Sequence, residues 1–245
     1  MIQNLPSYIS LVFGLTTFAT LILFYFAIKN SQTDSSKAKA NFIVFGLTVW
    51  LIIQAVLTLN NFYNTDTTSF PPKFLLLIIP PLLTIMVLFT TKKGQSFIDS
   101  LPLINLTYLN IVRIPVELVL YWLFLNKAIP ELMTFAGRNF DILAGITAPI
   151  VAYFGLQQQK FDRKIILIWN FIALALLLNI VINAVLSAPF AFQKFAFDQP
   201  NIAVLNFPFS WLPAYQVPTV LLGHLVSIRQ LLKINSFREI EDGKN

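Results

Sequence analysis

The chain has 245 residues, 56% of them hydrophobic and 11% charged, with 24 phenylalanines, one histidine, no cysteine and a net charge of +6. A charged fraction below half the roughly 25% of soluble proteins excludes an ordinary soluble domain. Without cysteine there are no disulfides, thiolate nucleophiles, zinc–thiolate sites or iron–sulfur clusters, and the basic residues cluster between apolar runs rather than forming a nucleic-acid-binding face.

A bilayer crossing needs about 20 mostly apolar residues. Seven runs meet or approach that length, at 8–28, 42–59, 74–91, 103–125, 141–157, 165–187 and 211–232. They are too long, and too free of alternation, to be strands. The first is preceded by Met1-Ile2-Gln3-Asn4-Leu5-Pro6, with no basic segment and no cleavage pattern, so it reads as a retained span rather than a signal peptide.

Loop charge sets the expected direction. Loops on the C-terminal side carry 12 Lys and Arg, among them Lys37, Lys39, Lys92, Lys93, Lys160, Arg163 and Lys164, against 4 on the other side. The positive-inside rule then puts the N-terminus outside and the C-terminus in the cytoplasm. The expected fold is all-α: one seven-helix transmembrane domain over 1–234 and a polar, frayed cytoplasmic tail over 235–245. The expected location is a bacterial inner (cytoplasmic) membrane.

Prolines fall inside five places in these runs: Pro80-Pro81, Pro115, Pro149, Pro213 and Pro218. Each removes one helix hydrogen bond and favours a kink, either absorbed by neighbouring helices or opening a cavity among the fourth, fifth and seventh runs. The segment from Ala188 to Trp211 is too rich in phenylalanine for a solvated loop. It is expected to lie in the membrane interface or to fold back as a lid.

The fourth run carries the residues that most need explaining. Arg113 and Glu117 stand four apart around Pro115, and Asn110, Arg113, Glu117 and Tyr121 share one helical face. A charge at mid-bilayer costs about 2.5–3.5 kcal/mol, so such residues face protein or water and find partners. At 1.5 Å per residue, Arg113 lies about 2 Å to the inner side of the midplane, level with His224 on the seventh run. Glu117 lies about 4 Å to the outer side, level with Gln54 and Asn179, with Asn183 one turn further out. Two readings stay open: an Arg113–Glu117 pair that locks helix packing, with amides as interhelical glue, or a polar site for a small solute or a proton built from Arg113, Glu117, His224, Asn179, Gln54 and Asn110. At the outer mouth, Asp141 reads either as a helix cap or, with Arg138, Asp198 and Lys194, as part of a gate.

Other chemistry finds little footing. One histidine cannot build a three-histidine metal site, and no lysine stands where a rhodopsin-type seventh helix needs one. Ser227 lies near His224 without a G-x-S-x-G context. The prolines of the first and last three runs do not match, which argues against a three-plus-one-plus-three repeat like that of sugar-transporting SWEET proteins. No metal or cofactor is expected, and an enzymatic role is disfavoured.

The segments Arg113-Ile-Pro-Val-Glu117, Gly137-Arg-Asn-Phe-Asp141-Ile-Leu-Ala-Gly145-Ile-Thr-Ala-Pro149 and Phe197-Asp-Gln-Pro200-Asn-Ile-Ala-Val together resemble a family of uncharacterised seven-span bacterial membrane proteins. The resemblance implies an inner-membrane location and assigns no activity, cofactor or residue roles. The leading expectation is binding or transport of a small solute at a midplane site. The alternatives are an intramembrane lipid-modifying enzyme, with Glu117 or Asp141 as base, and a non-catalytic membrane subunit or sensor. The bilayer is the expected partner, and the sequence names no protein partner.

Overall fold

The computed structural model describes residue 2 and residues 4–65 and 71–242, with side chains through residue 233. The middle of the loop expected between the second and third runs, residues 66–70, therefore lies outside the described residues, as does the tail at 243–245. Among the described residues the chain is all-helical, without strands.

Each expected run is helical: α1 (Ser7–Lys29), α3 (Ala40–Leu59), α4 (Leu75–Thr90), α6 (Leu103–Tyr108) continuing into α7 (Arg113–Leu125), α8 (Ile142–Ile150), α9 (Arg163–Leu186) and α10 (Val217–Asp242). Two short helices, α2 (Asp34–Ala38) and α5 (Lys92–Asp99), lie in the first and third loops. Among the described residues, four helical stretches are long and apolar enough to cross a membrane on those grounds alone: α1, α3, Leu103–Leu125 and α9. A fifth is added if α4 and α5, bent by 92° at Thr91, count as one broken span. The helical stretch over Ile142–Gln157 is shorter, and α10 is diluted by polar residues towards its end. The backbone of α10 runs on to Asp242, through most of the segment expected from residue 235 as a polar tail.

The outer surface of the bundle is apolar. Phe42, Phe45 and Ile52 on α3 and Leu11, Leu15 and Ile22 on α1 are all exposed, Phe42 by 79%. A patch of this extent is foreign to a water-facing surface and suits lipid. Inside, one apolar cluster at one end joins Phe13, Leu120, Leu123, Met133 and Phe209, and another at the opposite end joins Ile28, Ile98, Leu101, Leu106 and Val226. Along Leu103–Leu125 the two clusters meet at Arg113.

Four of the five proline sites coincide with departures from α-helical geometry. Pro115 follows a 3₁₀ turn at Leu109–Val112, Pro149 precedes a π-helical turn at Val151–Gln157, and a second π-helical turn at Leu212–Gln216 contains Pro213 and is followed by Pro218. A proline leaves the carbonyl four residues back without its donor. At Pro218 that carbonyl is Ala214 O, and the Trp50 indole N–H of α3 donates to it at 3.0 Å. The Pro80-Pro81 pair is absorbed inside α4, whose sharp bend comes later, at Thr91 in extended geometry.

The segment from Ser187 to Ser210 folds back over one end of the bundle. Lys194 N and Phe195 N donate to Leu186 O, Ile202 N and Ala203 N donate to Ala128 O, and the Gln199 amide donates to Phe124 O and Ile129 O. Of the segment's own side chains Phe190 and Phe209 are buried, while Phe197 stays outside. At the opposite end, Asp99 of α5 accepts from Arg229 at 2.8 Å and from Lys233 at 2.6 Å, and Gln230 donates to Ile98 O and Leu101 O. Burial alone would raise the Asp99 carboxyl, but the hydrogen bonds and charges of Arg229 and Lys233 outweigh it and hold the group below its ordinary value.

Candidate functional site: a buried charge network

Arg113 opens α7 directly after the 3₁₀ turn and is 3% exposed. Its carboxylate partner is Asp141, not Glu117: Nε donates to Asp141 Oδ2 at 2.6 Å, and one Nη donates to the other oxygen of the same carboxylate. This bidentate match of planar groups is the strongest ion pair that arginine makes. The remaining donors go to Asn110 Oδ1 at 3.1 Å, His224 Nε2 at 3.1 Å and Ala173 O at 3.0 Å. All five guanidinium N–H groups are therefore engaged.

The expectation that Asp141 caps α8 is corrected by the same contacts. Asp141 has helical backbone angles and no capping side-chain hydrogen bond, because its carboxylate is turned to Arg113. One turn further along, Gly145 lets α8 approach. A Cβ there would stand 2.9 Å from the Ile114 side chain and 3.1 Å from its backbone nitrogen. The close packing of α8 on the start of α7 is what sets Asp141 beside Arg113.

Glu117, 1% exposed, lies one turn beyond Arg113 and takes its hydrogen bonds from Asn139, whose amide nitrogen is 2.7 Å from each carboxylate oxygen and 3.1 Å from Met133 O. The Asn139 carbonyl accepts from Asp141 N at 3.0 Å, so one amide links the two acidic residues. Asn139 is held by a tight turn in which its own N–H, and that of Gly137, donate to Thr134 O.

His224 completes the other side. Arginine can only donate, so His224 Nε2 accepts from it and Nδ1 carries the proton, which goes to Asn170 Oδ1 at 3.0 Å. The Asn170 amide nitrogen is anchored on Ile166 O, and the Asn110 amide nitrogen on Leu106 O and Thr107 O. Both amides thus present their oxygens to the network.

The structure brings together Asn110, Arg113 and His224, with Glu117 adjacent, and adds Asp141 from the expected outer mouth. Asn139 and Asn170 escaped the sequence reading. Gln54 lies elsewhere, accepting from the Tyr63 hydroxyl at 2.5 Å, and Asn179 donates to Arg138 O at 2.9 Å. The Arg138, Lys194 and Asp198 side chains are exposed on the surface rather than gathered at a gate with Asp141. Tyr121, on the expected polar face, stacks on Phe135. No group of three or more metal-ligating side chains occurs among the described residues.

A pocket of about 380 Å³ opens between α3, α4 and α10, and none of the network residues lines it. Arg113 and its partners are buried and hydrogen-bonded to one another, and this pocket, with a mainly apolar lining, lies apart from them. Neither the curated proteins nor the solved structures hold a match to the chain. Residues 70–232, which include every member of the network, match the family described as Domain of unknown function (DUF8737), and the chain belongs to that family.

Proposed function

We propose that this is a multi-pass protein of a bacterial inner membrane, crossing seven times with its N-terminus outside, that binds or transports a small solute in step with a proton. The observation that carries the reading is a charge imbalance at depth. Arg113 is matched one-to-one by Asp141, and Glu117 is a second buried carboxylate whose donor is a neutral amide. An unpaired buried carboxylate is too costly to keep, so a proton is the natural partner of Glu117. A carboxyl that gains and loses a proton beside a saturated arginine is the kind of element proton-linked carriers use. Arg113 has no donor left for a solute, so in this reading it holds Asp141 and the helices in register. Solute would reach the site only when α7–α10 part.

The test compares uptake of a panel of labelled small acids, amines and neutral solutes by a deletion strain carrying wild type or Glu117→Gln. At least one solute should enter in a pH-dependent way with wild type and fail with the variant at equal membrane abundance. Equal uptake of every solute by the two strains would overturn the reading. The cysteine-free sequence gives a clean background for the topology. Single cysteines at Ser35 and Gln159 should react with an impermeant thiol reagent only from the cytoplasmic side, and those at Lys127 and Phe197 only from outside.

One observation favours a second reading, a non-catalytic membrane subunit or sensor: the engagement of all five Arg113 donors suits a permanent lock between helices. Glu117→Gln would then leave uptake unchanged, and a partner protein should copurify stably with wild type.

A further inference from the structure

The pocket between α3 and α4 is a slot rather than a buried void. Both helices pack on the Leu212–Gln216 turn, which with the start of α10 forms the floor, and the gap between them stays open. We propose that this slot holds one acyl chain of a bilayer phospholipid from the leaflet at the α5 end.

The chemistry of the walls leads there first. The walls are apolar and carry no charged residue, as Leu47, Ile85 and Leu222 illustrate. The polar side chains in the walls are already committed to backbone carbonyls: the Trp50 indole to Ala214 O, Thr84 to Pro80 O and Thr219 to Tyr215 O. The exception is the Tyr215 hydroxyl, which is buried and has no hydrogen-bond partner. Water needs two to four polar partners to occupy such a space, and a polar solute would lose its own hydrogen bonds there.

The mouth faces the same medium as the outer faces of its two walls. Phe45 and Met86, on the outer faces of α3 and α4, are more than half exposed, and Thr84 in the lining of the slot is itself exposed. In a membrane that medium is hydrocarbon, and an apolar gap open to hydrocarbon fills with it, because an empty one forfeits dispersion contacts along its whole lining. A volume of about 380 Å³ falls within the range of small-ligand sites.

The end of the slot identifies the lipid. Leu88 in the last turn of α4 and Phe97 of α5 close it, and the exposed Lys92 and Lys93 follow Leu88 where the chain turns by 92°. Two ammonium groups at this turn suit the phosphate of the same lipid, whose tail lies in the slot.

The full chain, reconstituted in phosphatidylglycerol vesicles, would be irradiated with a trace of phosphatidylglycerol bearing a diazirine in its acyl chain, and the adducts mapped by mass spectrometry. Adducts are expected on Leu222, a floor residue only 6% exposed that bulk lipid does not reach, as well as on the outward Phe45 and Met86. Ile43→Trp and Thr84→Trp, both at partly open positions in the walls, should each abolish the Leu222 adduct while Phe45 and Met86 stay labelled. Adducts confined to outward residues in wild type, or a Leu222 adduct that survives both fillings, would overturn the proposal. So would labelling of Leu222 by diazirine-palmitate alone and not by the phospholipid probe.

Discussion

Arg113 owes its place to having five donors in a rigid plane. Lysine keeps the charge but offers three donors from a point, so Arg113→Lys strands Asn110, Ala173 O or one oxygen of Asp141. Breaking a buried pair costs about 3–5 kcal/mol, and Arg113→Lys should approach that in the unfolding of detergent-purified protein. A change under about 1 kcal/mol would mean that the network is slack. The sequence made part of this network legible. Arg113 and Glu117 stand out in an apolar run, and helical rise puts the single histidine at the depth of Arg113. It could not show the pairing, because Asp141 begins a helix and so resembles a cap, and Asn139 sits where asparagine ordinarily makes turns. Asn170 does stand out as the amide in the first half of an apolar helix, but only the fold shows that His224 faces it.

The helices depart from α geometry where prolines and their rescuers meet. Trp50→Phe removes the donor to Ala214 O and should cost about 1–3 kcal/mol, the penalty for an unsatisfied buried group. In a Pro218→Ala background the main chain regains an N–H for that carbonyl, so the same Trp50→Phe change should cost clearly less. Equal costs in the two backgrounds, measured by thermal unfolding, would separate the indole from the proline. Here the sequence marked the sites of irregularity but not their form. Proline chemistry alone does not separate a 3₁₀ turn, as before Pro115, from a π turn, as after Pro149, since both prolines remove the same N–H. The Pro80-Pro81 pair, the strongest local signal, bends the chain less than Thr91 does.

Across the whole molecule, polar ties bind the ends of the bundle and one polar network sits between its apolar clusters. The Asp99 clamp joins α5 to α10 and has a definite pH signature. Its folded carboxyl titrates below the ordinary 3.8, so its stabilisation is full above that value and disappears as the pH falls through the lower, folded one. The stability difference between wild type and Asp99→Asn should therefore be constant from neutral pH down to about 4 and shrink below it. A difference that grew on acidification would contradict the clamp.

Charge balance in the central network decides the functional reading. If Glu117 carries a proton beside the Arg113–Asp141 pair, glutamine mimics it and asparagine at Asp141 does not mimic a charge. The most direct test is thermal unfolding of purified Glu117→Gln and Asp141→Asn side by side at neutral pH. The account predicts that Glu117→Gln stays within about 1 kcal/mol of wild type while Asp141→Asn loses about 3–5 kcal/mol. A Glu117→Gln variant as damaged as Asp141→Asn would show that the Glu117 charge itself holds the bundle together, and would contradict a proton-carrying role.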